Sequence, residues 1–255
     1  MKRPFLSQWK NLAGFARADL VCALLFCSLI GCLTSSGQAR RTGKSNLALC
    51  QNNARQLTKA WQTYANDHDG RLVLNQTLLG QSWVAPAEES ATDLKSLEEG
   101  LLWPYLKNSP QSYRCPADRN GSQIEEKPRV RSFSMNILMG NSSSSTGNPW
   151  VYTRKSPYSN QSQIQKPAEA FVFIGEHRNS IDDGGFWVDP DNAHWIDLPG
   201  PRHLGKEPVS YADGSVESRH WTDPAILSGC CSDPCGNQSL NSPDLAWLQA
   251  RTGGL

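Results

Sequence analysis

Four basic residues, Lys2, Arg3, Lys10 and Arg17, stand ahead of an uncharged apolar run from Leu20 to Leu33. This layout constrains the chain more than any other feature, because it sends the amino terminus to a membrane or an export machinery. The run is 14 residues long, short of the ~20 residues of a spanning helix and typical of a signal-peptide core. No proline occurs between Pro4 and Pro86. Beyond the run, Leu47, Leu57, Ala60, Trp61 and Tyr64 recur near three- and four-residue spacings, the period of an amphipathic helix. Gly31, Gly37 and Gly43 weaken the middle of this stretch without stopping it. The helix should end at "NDHDG", residues 66–70, where Asn and Asp bond the local backbone and Gly70 accepts a positive φ.

The rest of the composition is that of an ordinary folded protein: 255 residues, 19% charged, net charge +1. Lysine and arginine are scattered, so the basic stripe needed to bind phosphate backbones is missing and no nucleic-acid partner is expected. The tryptophans, among them Trp61, Trp83, Trp103, Trp187, Trp195, Trp221 and Trp247, are spread over the whole body. That spread suits packing better than a sugar-stacking platform. No enzymatic signature is found. Glu176 precedes His177, but no pair of histidines four apart exists for a metalloprotease helix, and Gly-x-Ser-x-Gly turns are absent.

A further helix is expected from Thr92 to Lys107, capped by Thr92 or Asp93. Strand-forming stretches concentrate later, at 170–177, 184–189, 208–213 and 214–221. The last two flank Asp213-Gly214, a pair favoured in two-residue hairpin turns. In that register Ala212 pairs with Ser215, Tyr211 faces Val216 and Val209 faces Ser218, with Ser210 and Glu217 on a wet face. The fold class is therefore α+β, a long amino-terminal helix packed on a carboxy-terminal antiparallel β-sheet.

Asp67 with Asp69, Asp182 with Asp183, and Asp189 with Asp191 alternate carboxylates with turn residues. None completes a calcium loop, and turns are the expected role, with calcium held in reserve and no other cofactor anticipated. Cys50 lies on the long helix and Cys115 in "YRCPAD". A disulfide between them would staple helix to body and contribute about 2–4 kcal/mol, the alternative being two buried thiols. Near the end, Cys230, Cys231 and Cys235 lack a local fourth ligand for zinc, and a bridge from one of the first two to Cys235 is the simpler local form. His203, separated from Asp213 by nine residues, anchors the approach to the hairpin, with metal binding held in reserve; no metal site is assigned.

Several separated stretches resemble one family. "GFARAD", residues 14–19, is similar to a prepilin-type cleavage site, with Asp19 where the family has glutamate. "CQNNARQLTKAWQTYANDHDGRL" at 50–72, "YRCPADRNG" at 113–121, "RSFSMN" at 131–136, "SIDDGGFWV" at 180–188 and "DLAWLQARTGG" resemble, in order, prepilin-type proteins of the pseudopilin-like family. The family's motif of His, nine residues, then Asp-Gly matches His203, Asp213 and Gly214. The resemblance implies a pilin-like fold and a non-enzymatic subunit of a type II secretion or type IV pilus-related filament. It implies cleavage after Gly14 by a prepilin peptidase, methylation of Phe15, and Asp19 as counter-charge to a neighbouring subunit's Phe15 amine, since an unpaired charge in an apolar core is costly. Residues 1–14 would be the leader, 15–36 the membrane part of the helix, 37–66 its exported part, and 67–255 the globular body with its hairpin near 208–221. The implied location is the bacterial inner membrane with the body in the periplasm. The implied partners are the peptidase, other pseudopilin subunits and the secretion platform. Two other readings remain open: a lipoprotein in which "LIGC" at 29–32 is a lipobox and Cys32 carries the lipid, and an uncleaved single-pass protein with an exported binding domain.

Overall fold

The computed structural model describes residues 22, 46–75, 82–85, 91–118, 128–140, 155–229 and 241–254. Gly14, Phe15, Asp19, Cys32, Cys230, Cys231 and Cys235 lie outside them. The chain divides into two compact units, Met1–Ser45 and Asn46–Leu255, and the sheet with the helices around it belongs to the second. No helix among the described residues is long and apolar enough to cross a membrane, and the run from Leu20 to Leu33 is described only at Cys22.

Helix α1 covers residues 46–67. Its buried stripe is Cys50, Ala54, Leu57, Thr58, Trp61 and Ala65, the three- and four-residue spacing of one helical face. Each large apolar side chain so buried contributes about 1.5–3 kcal/mol. The helix ends as the sequence predicts: Gly70 N–H donates to Ala65 O at 2.8 Å, and Asp69 and Gly70 have φ of 56° and 79°.

The sheet has five strands in the order β3-β1-β2-β4-β5: β1 Phe133–Asn136, β2 Phe171–Gly175, β3 Gly185–Phe186, β4 Lys206–Tyr211 and β5 Val216–His220. It is mixed rather than antiparallel throughout, because β1 and β3 run parallel. The region 92–107 also differs from expectation. Asp93 caps a helix α2, but α2 is only Leu94–Glu98, and the chain passes Gly100 into a short 3₁₀ turn at Pro104–Leu106. Helix α3 is Pro224–Ser228 and α4 is Pro243–Thr252. Both begin with a side-chain cap, Asp223 or Ser242, followed by proline at the first helical position.

The hairpin register is one residue away from the expected one: Ser210 pairs with Val216, Val209 with Glu217 and Pro208 with Ser218. Tyr211 and Ser215 close a three-residue loop, Ala212-Asp213-Gly214, in which Gly214 alone takes a positive φ of 91°. This is the turn-plus-bulge solution, and Asp213 Oδ1 stabilises it by accepting from Ser215 N–H at 2.9 Å. Nor is one face of β4 wet, since every residue from Glu207 to Tyr211 is buried. On one side α1 covers it, with Thr58 Oγ1 2.7 Å from Ser210 Oγ. On the other lies a second cluster, in which Val209 and Tyr211 pack with Phe171, Ile174, Trp221, Leu245 and Leu248. A register shift between Phe171 and Ile174 changes the parity of β2, which sends Val172 and Phe173 toward the α1 cluster and the flanking pair toward the second.

Two glycines test this backbone. Gly140 has φ 76°, and a Cβ there would lie 1.8 Å from Val73 O, whereas at Gly214 the nearest atom, in the flexible Gln62 side chain, is 3.4 Å away. Gly214→Ala should therefore cost about 1–2 kcal/mol from the left-handed backbone alone. Gly140→Ala should cost clearly more, beyond ~3 kcal/mol, because backbone must also move. Urea midpoints of the two variants read this ranking, and the reverse order would refute the close packing of residues 73 and 140.

Candidate functional site

Three segments distant in sequence converge beside the amino-terminal end of β4. The first turns of the described part of α1 supply Cys50. The loop after a 3₁₀ turn at Pro110–Tyr113 supplies Cys115, fixed by Asn53 Nδ2, which donates to Arg114 O at 2.7 Å. The turn before β4 supplies His203. Both cysteines are fully buried free thiols. The ligand atoms of Cys50, Cys115 and His203 all lie within 4.8 Å of one another, with Cys115 Sγ 3.0 Å from His203 Nε2. The stapling disulfide expected from the sequence is not formed here, although the geometry does bring the two sulfurs together.

His203 sits in a strained turn. Residues 202–205 are not a regular helix: His203 and Leu204 have φ of 50° and 62°, and Gly205 follows at 82°. Two consecutive non-glycine residues in the left-handed region cost about 1–2 kcal/mol each. Burial of Leu204 does not compensate, since that side chain is 91% exposed.

What holds the turn is Arg202. Its Nη1 donates to Glu207 Oε1 at 3.1 Å, and its Nη2 to Asp118 Oδ2 at 3.1 Å and to Glu176 O at 2.6 Å. Asp118 also takes Arg129 Nη2 at 2.7 Å and the Ser132 hydroxyl at 2.7 Å. Burial pushes the Asp118 carboxyl up, but Arg202 and Arg129 outweigh it and hold it below the ordinary range. For Glu207 burial wins over Arg202, and the carboxyl is raised well above its usual value. Its seat depends on Gly175 of β2, where a Cβ would fall 1.8 Å from Glu207 Oε1. The same Oε1 lies 4.0 Å from Cys50 Sγ. The thiols split: burial drives Cys50 up, whereas the Cys50 hydrogen bond, with His203 and Arg202 behind it, brings Cys115 down to about 5. Two thiols and an imidazole thus share the pocket, the residue types of a soft-metal site. Two buried atoms here, His203 Nδ1 and Glu207 Oε2, have no hydrogen-bond partner.

A second buried group adjoins the first. Arg131 Nη1 donates to Phe133 O and Ser134 Oγ, and Ser134 donates to Glu176 Oε2. Burial raises Glu176 to about 8 despite Arg131, with Asp182 adding to the rise. Neighbouring His177 is lowered to about 4 by burial and by Arg202.

His203 and Asp213, which the motif joins, do not share a site. They bracket β4, whose six residues span about 20 Å. Asp213 is a turn former, and the acidic pairs behave likewise: Asp189 Oδ1 accepts from the N–H groups of Asp191 and Asn192. Sequence reasoning missed Asp118, Arg129, Arg202, Glu176 and Glu207. A carboxylate in an alternating strand reads as a solvent-facing residue, and only the arginine count near it hints otherwise.

Arg202→Ala leaves Asp118 and Glu207 buried beside a missing fork, so it should destabilise by about 3–5 kcal/mol, with Arg202→Lys intermediate because a single ammonium cannot span three acceptors. Equilibrium urea unfolding measures both, and a loss under ~1 kcal/mol in the alanine variant would remove the fork's structural role. Glu176 gives a pH test. Between its ordinary 4.5 and about 8 the unfolded chain has released this proton while the native one keeps it, so stability is full below the lower value and falls as pH rises. Glu176→Gln should flatten that fall by up to about 1.4 kcal/mol per pH unit, in a field that also holds Arg131, Asp182 and Asp197. An unchanged slope in unfolding free energy against pH would contradict it. Compared with known proteins, the chain matches no family model, no curated protein and no solved structure.

Proposed function

We propose that this chain is a pseudopilin-like subunit, anchored in the bacterial inner membrane by its amino-terminal helix and carrying an exported α+β body. The observation that supports this reading is the seat of α1. A helix that passes from a membrane segment into a folded body must be gripped along its exported length, and α1 is gripped at both ends of its described span. Gln51 Nε2 donates to Ser218 Oγ at 3.0 Å, and Gln62 Nε2 donates to Ala212 O at 2.9 Å. Between them Thr58, Leu57 and Trp61 are buried. Upstream of α1 the chain carries the basic leader, "GFARAD" and the apolar run. The proposed mechanism is assembly, not catalysis: peptidase cleavage after Gly14, methylation of Phe15, and pairing of Asp19 with the Phe15 amine of the next subunit as helices pack in a filament of a type II secretion or type IV pilus-related system. The body then displays its outer surface along that filament.

The mass of the mature amino terminus in membranes of an expressing host tests this. Methylated Phe15 is the expected result; acylated Cys32 would establish the lipoprotein, and an intact Met1 would exclude both. Asp19→Ala should still insert into the membrane but enter filaments at least about tenfold less, in line with the cost of an unpaired buried amine. Filament incorporation at the normal level would remove the charge-pairing role.

A further inference from the structure

We infer that Cys50, Cys115 and His203 form a binding site for one divalent cation of the zinc class. The inference concerns the body alone and does not depend on how the amino terminus is processed.

The ligand set decides the class. Two thiolates and an imidazole suit zinc, cobalt and related borderline cations and do not suit calcium or magnesium, which take oxygen. The distances decide whether one ion can be shared. With metal–sulfur bonds of ~2.3 Å and metal–nitrogen bonds of ~2.05 Å, a tetrahedral ion places its sulfurs ~3.8 Å apart and each sulfur ~3.6 Å from nitrogen. The three ligand atoms already lie within 4.8 Å of one another, and Cys115 Sγ and His203 Nε2, 3.0 Å apart, need only part by about 0.6 Å to reach that spacing. Glu207 Oε1, held by Arg202, lies 4.0 Å from Cys50 Sγ and borders the three ligands.

Two features of the surroundings are those of a built site. The ligands come from three separate segments, so an ion would cross-link α1, the loop at 115–118 and the approach to β4. And His203 is aimed at the sulfurs by a left-handed turn whose next side chain, Leu204, is exposed. Strain of this kind persists where the surrounding structure over-determines it, typically at ligand sites. Here Arg202, locked by Asp118, Glu207 and Glu176 O, fixes the residue next to the ligand.

The test uses the full chain, purified in detergent and fully reduced, titrated with Co²⁺ and then Zn²⁺. One equivalent of Co²⁺ should give the visible bands of a tetrahedral ion together with a sulfur-to-metal charge-transfer band, and Zn²⁺ should bleach both. Cys50→Ser, Cys115→Ser and His203→Ala should each weaken binding by more than the roughly 10–100-fold that loss of a supporting outer group costs. Joint replacement of Cys230, Cys231 and Cys235 by serine should leave the spectrum intact. Because a ligand variant could fail to fold, the wild-type chain supplies a second readout: its urea midpoint should rise with Zn²⁺ concentration, by mass action on the native state. The inference is overturned if the reduced wild-type chain gives no charge-transfer band with excess Co²⁺. It is equally overturned if the band survives loss of Cys115, or if it disappears with the Cys230, Cys231 and Cys235 replacement alone.

Discussion

The largely enclosed guanidinium of Arg202 organises this body. Arg202 reaches a carboxylate on the loop after Cys115, a carboxylate on β4 and a main-chain carbonyl next to the end of β2. Moving an arginine out of water costs several kcal/mol, and only a full set of well-placed acceptors offsets it. Three elements must therefore arrive together before the charge can be buried, which makes the fork a condition on the tertiary fold and not an ornament of it. Asp118 extends the condition to Arg129 and Ser132, and so to the segment that enters β1. His203 inherits its position, one residue along a chain that Arg202 holds.

Helix α1 and strand β4 are matched in length as well as in chemistry. From Cys50 to Gln62 the helix rises ~18 Å, and from Glu207 to Ala212 the strand advances ~17 Å. Along that shared length Cys50 meets Glu207, Thr58 meets Ser210 and Gln62 meets Ala212 O. The nine residues between His203 and Asp213 are thus a ruler. They set one strand with its turn at one end and the thiol pocket at the other, and a deletion in the strand would pull one end out of register with the helix.

How much of this the sequence discloses depends on how local the cause is. The stripe of α1 and its stop at Asp69-Gly70 follow from periodicity and turn chemistry within a few residues, and both are legible. Four of the five strands are legible as regions for the same reason. The hairpin register is not, because Asp213-Gly214 suits either a two- or a three-residue loop, and the bond from Ser215 N–H to Asp213 selects the longer one. Strand β1 and the residues that enter it are hidden by their polarity: Arg131, Ser132, Ser134 and Asn136 are all buried and read as surface until their partners are known. Cys50, Cys115 and His203 can each be singled out from the sequence. Their convergence cannot, since it is set by Arg202, Asp118 and Glu207, whose charges look solvent-bound in one dimension.

A disulfide and a cation compete for the same two sulfurs, and the fold distinguishes what each would accomplish. A bridge from Cys50 to Cys115 would close a loop of 65 residues, limiting the unfolded chain by about 4 kcal/mol in the chain-entropy view. It would fasten α1 to the 115–118 loop and nothing more. His203 would then stand against an inert bridge, in a left-handed turn with an exposed leucine beside it. A cation uses both sulfurs and His203, joins the turn before β4 to the two segments a bridge would link, and gives the strained turn a reason to exist. The disulfide accounts for the cysteines, whereas the cation accounts for the cysteines and the geometry around them.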